Sequence, residues 1–438
     1  MLAYAPIGPG PSAFTIDETG SNGYTLNSDG TLSNFPISTQ LQQKQVSFST
    51  LSNGAAPVNL FSPSSSLWAT DLTGNVVDFF QGVPEAFKLA IPLAPAFTPI
   101  TVVGPGLVAE RNYIVSQNIP GTSPYPAGVA CNISPTTGPI GTATAIETST
   151  FTVSANIPLG KCPVYAVQNN DNRRLFVINR GSDTITVINS QLNTLDRCTP
   201  FVNQSGQTVT CHPTLPLSLS AVAATGITPP NGTSGMTAIA GPVYAEFNAM
   251  TSQLVVANYD GNTITVIDVS EDEYGNDSST FGTTYTIPVG KNPASVTVLA
   301  DGSRAYTANQ TDQTVSIVNL SSHTVEKTAL PVIGHPRTVV STQNSEYSKV
   351  YVASPDSPYL TIVESTPTVT DIVDTTVLVE GNIVDVRVST QTGSSGNTNS
   401  VSRVPGYGQP CNLPPTPSNP TPAPSGTQTL LQACQAIP

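Results

Sequence analysis

An all-β chain of seven four-stranded antiparallel blades, a β-propeller, is predicted by three features: composition, a hairpin motif of constant length, and the spacing at which that motif returns. Of 438 residues only 10% are charged and 15 are Lys or Arg, whereas long helices draw heavily on Glu, Lys, Arg, Leu and Ala. Thr, Ser, Asn, Gly and Pro are plentiful, as suits short strands joined by tight turns. Four stretches of one length share the order apolar run, small polar turn, apolar run: "LFVINRGSDTITVIN" from Leu175, "LVVANYDGNTITVID" from Leu254, "AYTANQTDQTVSIVN" from Ala305 and "VYVASPDSPYLTIVE" from Val350. Constant length fixes the register, because a one-residue slip would turn every side chain to the opposite face.

Along the chain, "GYTLNSDGTLSNF" from Gly23 and "LWATDLTGNVVDF" from Leu67 read as hairpins two residues tighter in the turn. A third early copy begins with "NYIVSQN" at Asn112, its second strand delayed to "TATAIE" at Thr142–Glu147. Successive copies start about 45 residues apart, a period that points to propeller blades rather than helical repeats. Each hairpin is preceded by a strand such as "PASVTVLADGS" (Pro293–Ser303), "PVYAVQNNDNR" (Pro163–Arg173) or "PVYAEFNAMTS" (Pro242–Ser252). It is followed by one such as "TYTIPVG" (Thr284–Gly290), giving four strands per unit. Blades stacked face to face cover their middle strands on both sides, which explains continuous runs such as "LVVA" and "ITVI". "NIVDVRVST" (Asn382–Thr390) reads as a closing strand that completes the first blade and removes two exposed sheet edges. The propeller is therefore expected over residues 1–390, with 391–438 a Pro/Ser/Thr-rich C-terminal tail.

The order G-x-x-P, inner strand, apolar strand ending in Asn, turn and second apolar strand is carried by "GKNPASVTVLADGSRAYTANQTDQTVSIVNL" (Gly290–Leu320) and by the Leu254 hairpin. It resembles the YVTN-family β-propeller repeat, strongly over about residues 160–390 and weakly over 1–150. The resemblance implies a secreted, periplasmic or surface-located propeller, some of whose relatives are lactonase-like. A shared fold carries no activity with it.

Insertions break the period at about 119–141, 190–240 and 270–279, and loops on a rigid scaffold are where recognition tends to reside. Six cysteines form an even set without C-x-x-C spacing, so zinc and c-type haem are disfavoured and disulfides in an oxidising compartment are expected. Proximity along the chain pairs Cys131 with Cys162, Cys198 with Cys211 and Cys411 with Cys434. The opening "MLAYAPIGPGPSAF" lacks a basic segment followed by an apolar one, which reads as a secreted chain without its leader. No run of about 20 apolar residues encodes a membrane span. A net charge of −13 disfavours nucleic acid and anionic membrane surfaces.

Hairpin turns and blade links of a propeller share one face at the channel mouth. The aligned repeats put Lys161, Arg180, Asp183, Tyr259, Asp260, Lys291, Asn292, Gln310, Asp312, His335 and Arg337 on that face, where mixed charges would hold a polar ligand or a partner's loop. The competing reading is that Asp, Asn and Gly occupy such turns for backbone reasons alone. Catalysis finds thinner support: there are three histidines, only His335 maps to the face, and no G-x-S-x-G elbow occurs. Asp17, Glu246 and Asp385 would meet in the channel or face blade interfaces. "EDEYGND" (Glu271–Asp277) lacks the order of a calcium loop and reads as a solvated hairpin, so no metal or cofactor is assigned. The expectation is a secreted or cell-surface, non-catalytic propeller that binds a protein or polar ligand. A lactonase-like hydrolase using the funnel, or a self-associating subunit of an extracellular layer or fibre, are the alternatives.

Overall fold

The computed structural model describes residues 4–388, except 18–19, 28, 30, 39–43, 48–56, 63–65, 73, 82–85, 105–110, 120–130, 132–134, 204–205, 218–238, 273, 343–348 and 366–370. The expected tail, with Cys411 and Cys434, lies outside the described residues. The chain is all-β, and seven antiparallel four-stranded sheets form the blades of a seven-bladed β-propeller. Among the described residues no helix is long and apolar enough to cross a membrane.

The strands fall in two compact units, residues 1–164 and residues 165–388. In the first, blade one comprises Pro11–Ile16, Asn22–Asn27, Thr31–Pro36 and Lys44–Ser47. Blade two comprises Pro57–Phe61, Ser66–Asp71, Val76–Gln81 and Ala86–Pro92, and blade three Pro99–Val103, Arg111–Ser116, Ile140–Glu147 and Val153–Lys161. Blade four comprises Pro163–Gln168, Arg174–Asn179, Thr184–Asn189 and Thr194–Leu195, with Thr214–Pro216 pairing beside its third strand. Blade five comprises Pro242–Asn248, Gln253–Asn258, Thr263–Asp268 and Thr284–Pro288. Blade six comprises Pro293–Val298, Arg304–Asn309, Thr314–Asn319 and Thr324–Pro331, and blade seven Thr338–Ser341, Lys349–Ala353, Tyr359–Glu364 and Ile372–Leu378.

Local rules explain the repeat. Proline opens the first strand of blades one to six, a position where its missing N–H deprives no ladder bond. In blades one, two, three, five and six a β-bulge follows that proline directly, so one extra residue lets the strand bend. The second and third strands are apolar on both faces because both are covered: Leu254, Val255, Val256 and Ala257 are all 0% exposed. Each buried Val or Leu of this kind contributes about 1.5–3 kcal/mol. First strands of adjacent blades are also tied by hydroxyls, as where Thr297 Oγ1 in blade six donates to Ser341 Oγ in blade seven, 3.2 Å.

The delayed hairpin of blade three pairs as expected, Asn112 opposite Ile146. Two expectations need correction. The blade-two hairpin is not tighter: Asp71 pairs with Val76 across residues 72–75, the same four-residue loop as 180–183, 259–262 and 310–313. The apolar run "VVDF" continues through Phe80, which pairs with Leu67, so ending the alignment at Phe79 loses part of the strand. Blade one is shorter by one residue rather than two, with residues 28–30 between its strands. Residues 382–388 of the expected closing strand form no strand, residues 389–390 lie outside the described residues, and blade one has four consecutive strands of its own.

Candidate functional site

The four-residue hairpin loops end in a left-handed residue: Asp183 at φ 51°, Asn262 at φ 53° and Gln313 at φ 56° in the second unit. Asp and Asn tolerate that conformation, and their short side chains then reach backbone donors in the next blade link. Asp183 Oδ1 accepts from Gly241 N at 2.8 Å, and Asn262 Oδ1 from Asn292 N at 2.9 Å. Asp312 Oδ2 accepts from Lys291 N at 2.8 Å, and Asp356 Oδ1 from His335 N at 2.8 Å. Burial pushes the Asp183 carboxyl above its usual value, against the hydrogen bonds from Gly241 and Ala240. Gly241 is required here, with φ 56° and a Cβ that would stand 1.8 Å from Asp260 Oδ2.

Side chains continue these staples from blade to blade. Arg180, in the blade-four loop, forks onto Asp260 of blade five, Nε to Oδ2 at 3.0 Å and Nη2 to Oδ1 at 2.8 Å. The same guanidinium lies 5.6 Å from the centre of the Tyr259 ring, a cation–π contact. Tyr259 Oη donates to Gln310 Oε1 of blade six at 2.9 Å, and Asn292 Nδ2 donates to Tyr259 O at 3.2 Å. Gln313 Nε2 meets His335 Nε2 at 3.1 Å, and His335 Nδ1 meets Asp356 Oδ2 of blade seven at 2.6 Å. The consistent assignment has His335 Nδ1–H donating to the carboxylate and Nε2 accepting from the Gln313 amide. Burial opposes ionisation of Asp356, but hydrogen bonds from the His335 ring and backbone outweigh it and hold the carboxyl below its usual range.

Arg180, Asp183, Tyr259, Asp260, Lys291, Asn292, Gln310, Asp312 and His335 thus belong to one hairpin-loop face of blades four to seven. Arg180 and Tyr259 are buried by their neighbours, whereas Lys291, Asp312 and His335 are exposed. Lys161 lies in the first unit, where its Nζ donates to Thr136 O at 3.3 Å. Arg337 is half-buried, and its charge is influenced by Asp385 and Arg387. Burial lowers the Arg337 pKa against the Asp385 charge, and Arg387 Nη2 pairs with Asp385 Oδ2 at 2.8 Å. Of the three acids expected in the channel or at blade interfaces, Asp17 accepts from Ser21 N and Asn22 N, Asp385 pairs with Arg387, and Glu246 is buried.

Sequence reasoning missed Asp356 and Gln313, the partners of His335. Asp356 in "SPDSP" aligns with Thr311 and not with Asp312, one residue out of step, so the repeat alignment passed over it. The expected disulfides Cys131–Cys162 and Cys198–Cys211 are present. Among the described residues no three His, Cys, Asp or Glu side chains come together as metal ligands. In the 270–279 insertion Asp272 Oδ1 accepts from Tyr274 N and Asn276 N at 2.9 Å, and Asn203 Nδ2 donates to Asp272 Oδ2 at 3.4 Å, tying the loop to the disulfide-closed one.

No family model and no curated protein matches the chain. Among solved structures, hydrazine synthase of Kuenenia stuttgartiensis is similar with a TM-score of 0.43 and 13% identity, covering 71% of this chain and 84% of that one. A functionally unknown protein of Desulfotomaculum acetoxidans gives 0.45 and 13%, covering 84% and 99%. Kluyveromyces lactis Hsv2 gives 0.42 and 10%, covering 72% and 76%.

Proposed function

We propose that the chain is a secreted or cell-surface propeller module of the YVTN type that binds, without catalysis, a partner protein or polar ligand on the hairpin-loop face of blades four to seven. The observation that carries this reading is the continuous stapling of that face, from Arg180 through Asp260, Tyr259 and Gln310 to Gln313, His335 and Asp356. A face whose loops are already ordered loses little conformational freedom on binding. It offers charges of both signs, Lys291 and Asp312, and the His335 ring, to a polar partner. The two disulfides support an oxidising compartment.

The test is binding of the labelled protein to the surface fraction of the cells that produce it. Lys291→Glu with Asp312→Lys and His335→Ala should abolish retention, while Lys349→Glu with Asp374→Lys, on blade seven away from the loops, should leave it intact. Retention that survives the first set refutes the reading. One observation favours the hydrolase alternative: His335, oriented by Asp356, has the base-and-orienter arrangement of acyl-transfer sites. Turnover of a lactone panel, lost with His335→Ala, would replace the binding proposal with that one.

A further inference from the structure

Four blades share a buried polar lock. The last residue of the second strand is Asn, and its Nδ2 donates to a hydroxyl on the third residue of the third strand. The bonds are Asn27 to Ser33 at 2.9 Å, Asn179 to Thr186 at 2.9 Å, Asn258 to Thr265 at 2.8 Å and Asn309 to Ser316 at 2.9 Å. In blade two the same two register positions hold Asp71 and Asp78, both 0% exposed. Substituting Asp for Asn removes the donor and sets two carboxyl groups where an amide and a hydroxyl meet elsewhere.

Both Asp78 oxygens are buried without a hydrogen-bond partner among the described residues. Asp71 Oδ1 accepts from Gly74 N at 3.3 Å. The face carrying Asp78 packs on Tyr24, Leu26 and Leu32 of blade one and on Phe87 of its own outer strand. The titratable groups on these elements are Asp71, the buried Tyr24 and Lys88, whose residue is exposed. Two carboxyl groups sharing one site disfavour each other's ionisation.

We propose that Asp71 and Asp78 hold one proton between them, Asp78 donating to Asp71, so that the folded chain binds a proton as a stabilising ligand of blade two. Burial first, and then the charge of Asp71, push the Asp78 carboxyl up to about 7. An unfolded chain releases that proton near pH 4. The contribution is therefore complete in acid and is lost as pH rises through neutrality.

Thermal denaturation of the full chain between pH 4.5 and 8.5 tests this, comparing the parent with Asp78→Asn and Asp71→Asn, each of which supplies a permanent amide donor. The parent midpoint should fall with rising pH by at least about 2–4 °C more than that of either variant. The variants should be the more stable at pH 8. The infrared C=O band of a protonated carboxyl should be present in the parent at pH 6 and diminished in Asp78→Asn, a readout independent of stability. Identical pH dependence in parent and variants, or no loss of that band, overturns the proposal. So does a parent stabilised at pH 8 by 1 mM calcium when Asp78→Asn is not, since the pair would then hold a cation instead.

Discussion

Asn258 shows how one buried atom sets a preference. In blades one and six the Asn lock is completed by a hydroxyl two residues earlier, Thr25 to Asn27 Oδ1 at 3.0 Å and Thr307 to Asn309 Oδ1 at 2.9 Å. Blade five has Val256 there, and Asn258 Oδ1 is buried without a partner. A buried Val-to-Thr change ordinarily destabilises, because the hydroxyl lacks a partner. Val256→Thr should instead be neutral or stabilise by about 0.5–1 kcal/mol, whereas Val255→Thr, on the opposite face, should destabilise; urea denaturation distinguishes them. Arg180 is the other telling residue. Its fork onto Asp260 matches a guanidinium and not an ammonium, so Arg180→Lys should cost about 1–2 kcal/mol by the same measurement. Neither contact was legible in the sequence: Arg180 and Asp260 stand 80 positions apart, and only blade packing brings them together.

Among elements, the hairpins were the most legible, since constant length and unbroken apolar runs leave one register that buries both faces. The Leu175, Leu254 and Ala305 hairpins pair accordingly, Leu175 with Ile188, Leu254 with Ile267 and Ala305 with Val318. The blade-two loop was misread because Asp78 interrupts an apolar run, and the strand was ended too early. The insertions were visible only as breaks in the period. Their contents depend on mutual contacts: the disulfide Cys198–Cys211 closes a ribbon in which Phe201 pairs with Val209, and His212 Nδ1 reaches Asp277 Oδ2 of the acidic loop at 2.7 Å. The ribbon has little core, with Phe201 44% and Val202 66% exposed, so the cross-link substitutes for burial. Cys198→Ser with Cys211→Ser should speed proteolytic cleavage within 199–210 severalfold. Amide exchange in the second and third strands of blades four and five should be unchanged, because those strands keep their own apolar cover.

At the scale of the whole molecule, an acidic chain with buried carboxyls should be most stable in mild acid. Glu271 accepts from Asn169 Nδ2 at 3.2 Å, and burial together with the nearby Asp171 charge pushes it up to about 7, against the pull of Arg174 and Arg173. Its folded pKa lies above the unfolded one, so its contribution is complete below about pH 4 and is lost as pH rises through 7. Asp356 acts in the opposite sense: its folded pKa is depressed, and its contribution disappears as pH falls through that value. The two trends cross in mild acid, about pH 5. Glu271→Gln should therefore flatten the decline in thermal midpoint between pH 5 and 8 while leaving the loss below pH 4 in place. Glu271 and Asp78 share no charged neighbour. The flattening from Glu271→Gln and that from Asp78→Asn should therefore add in the double variant. A double variant no flatter than either single one would mean that a single proton, and not two, sets the pH response of the fold.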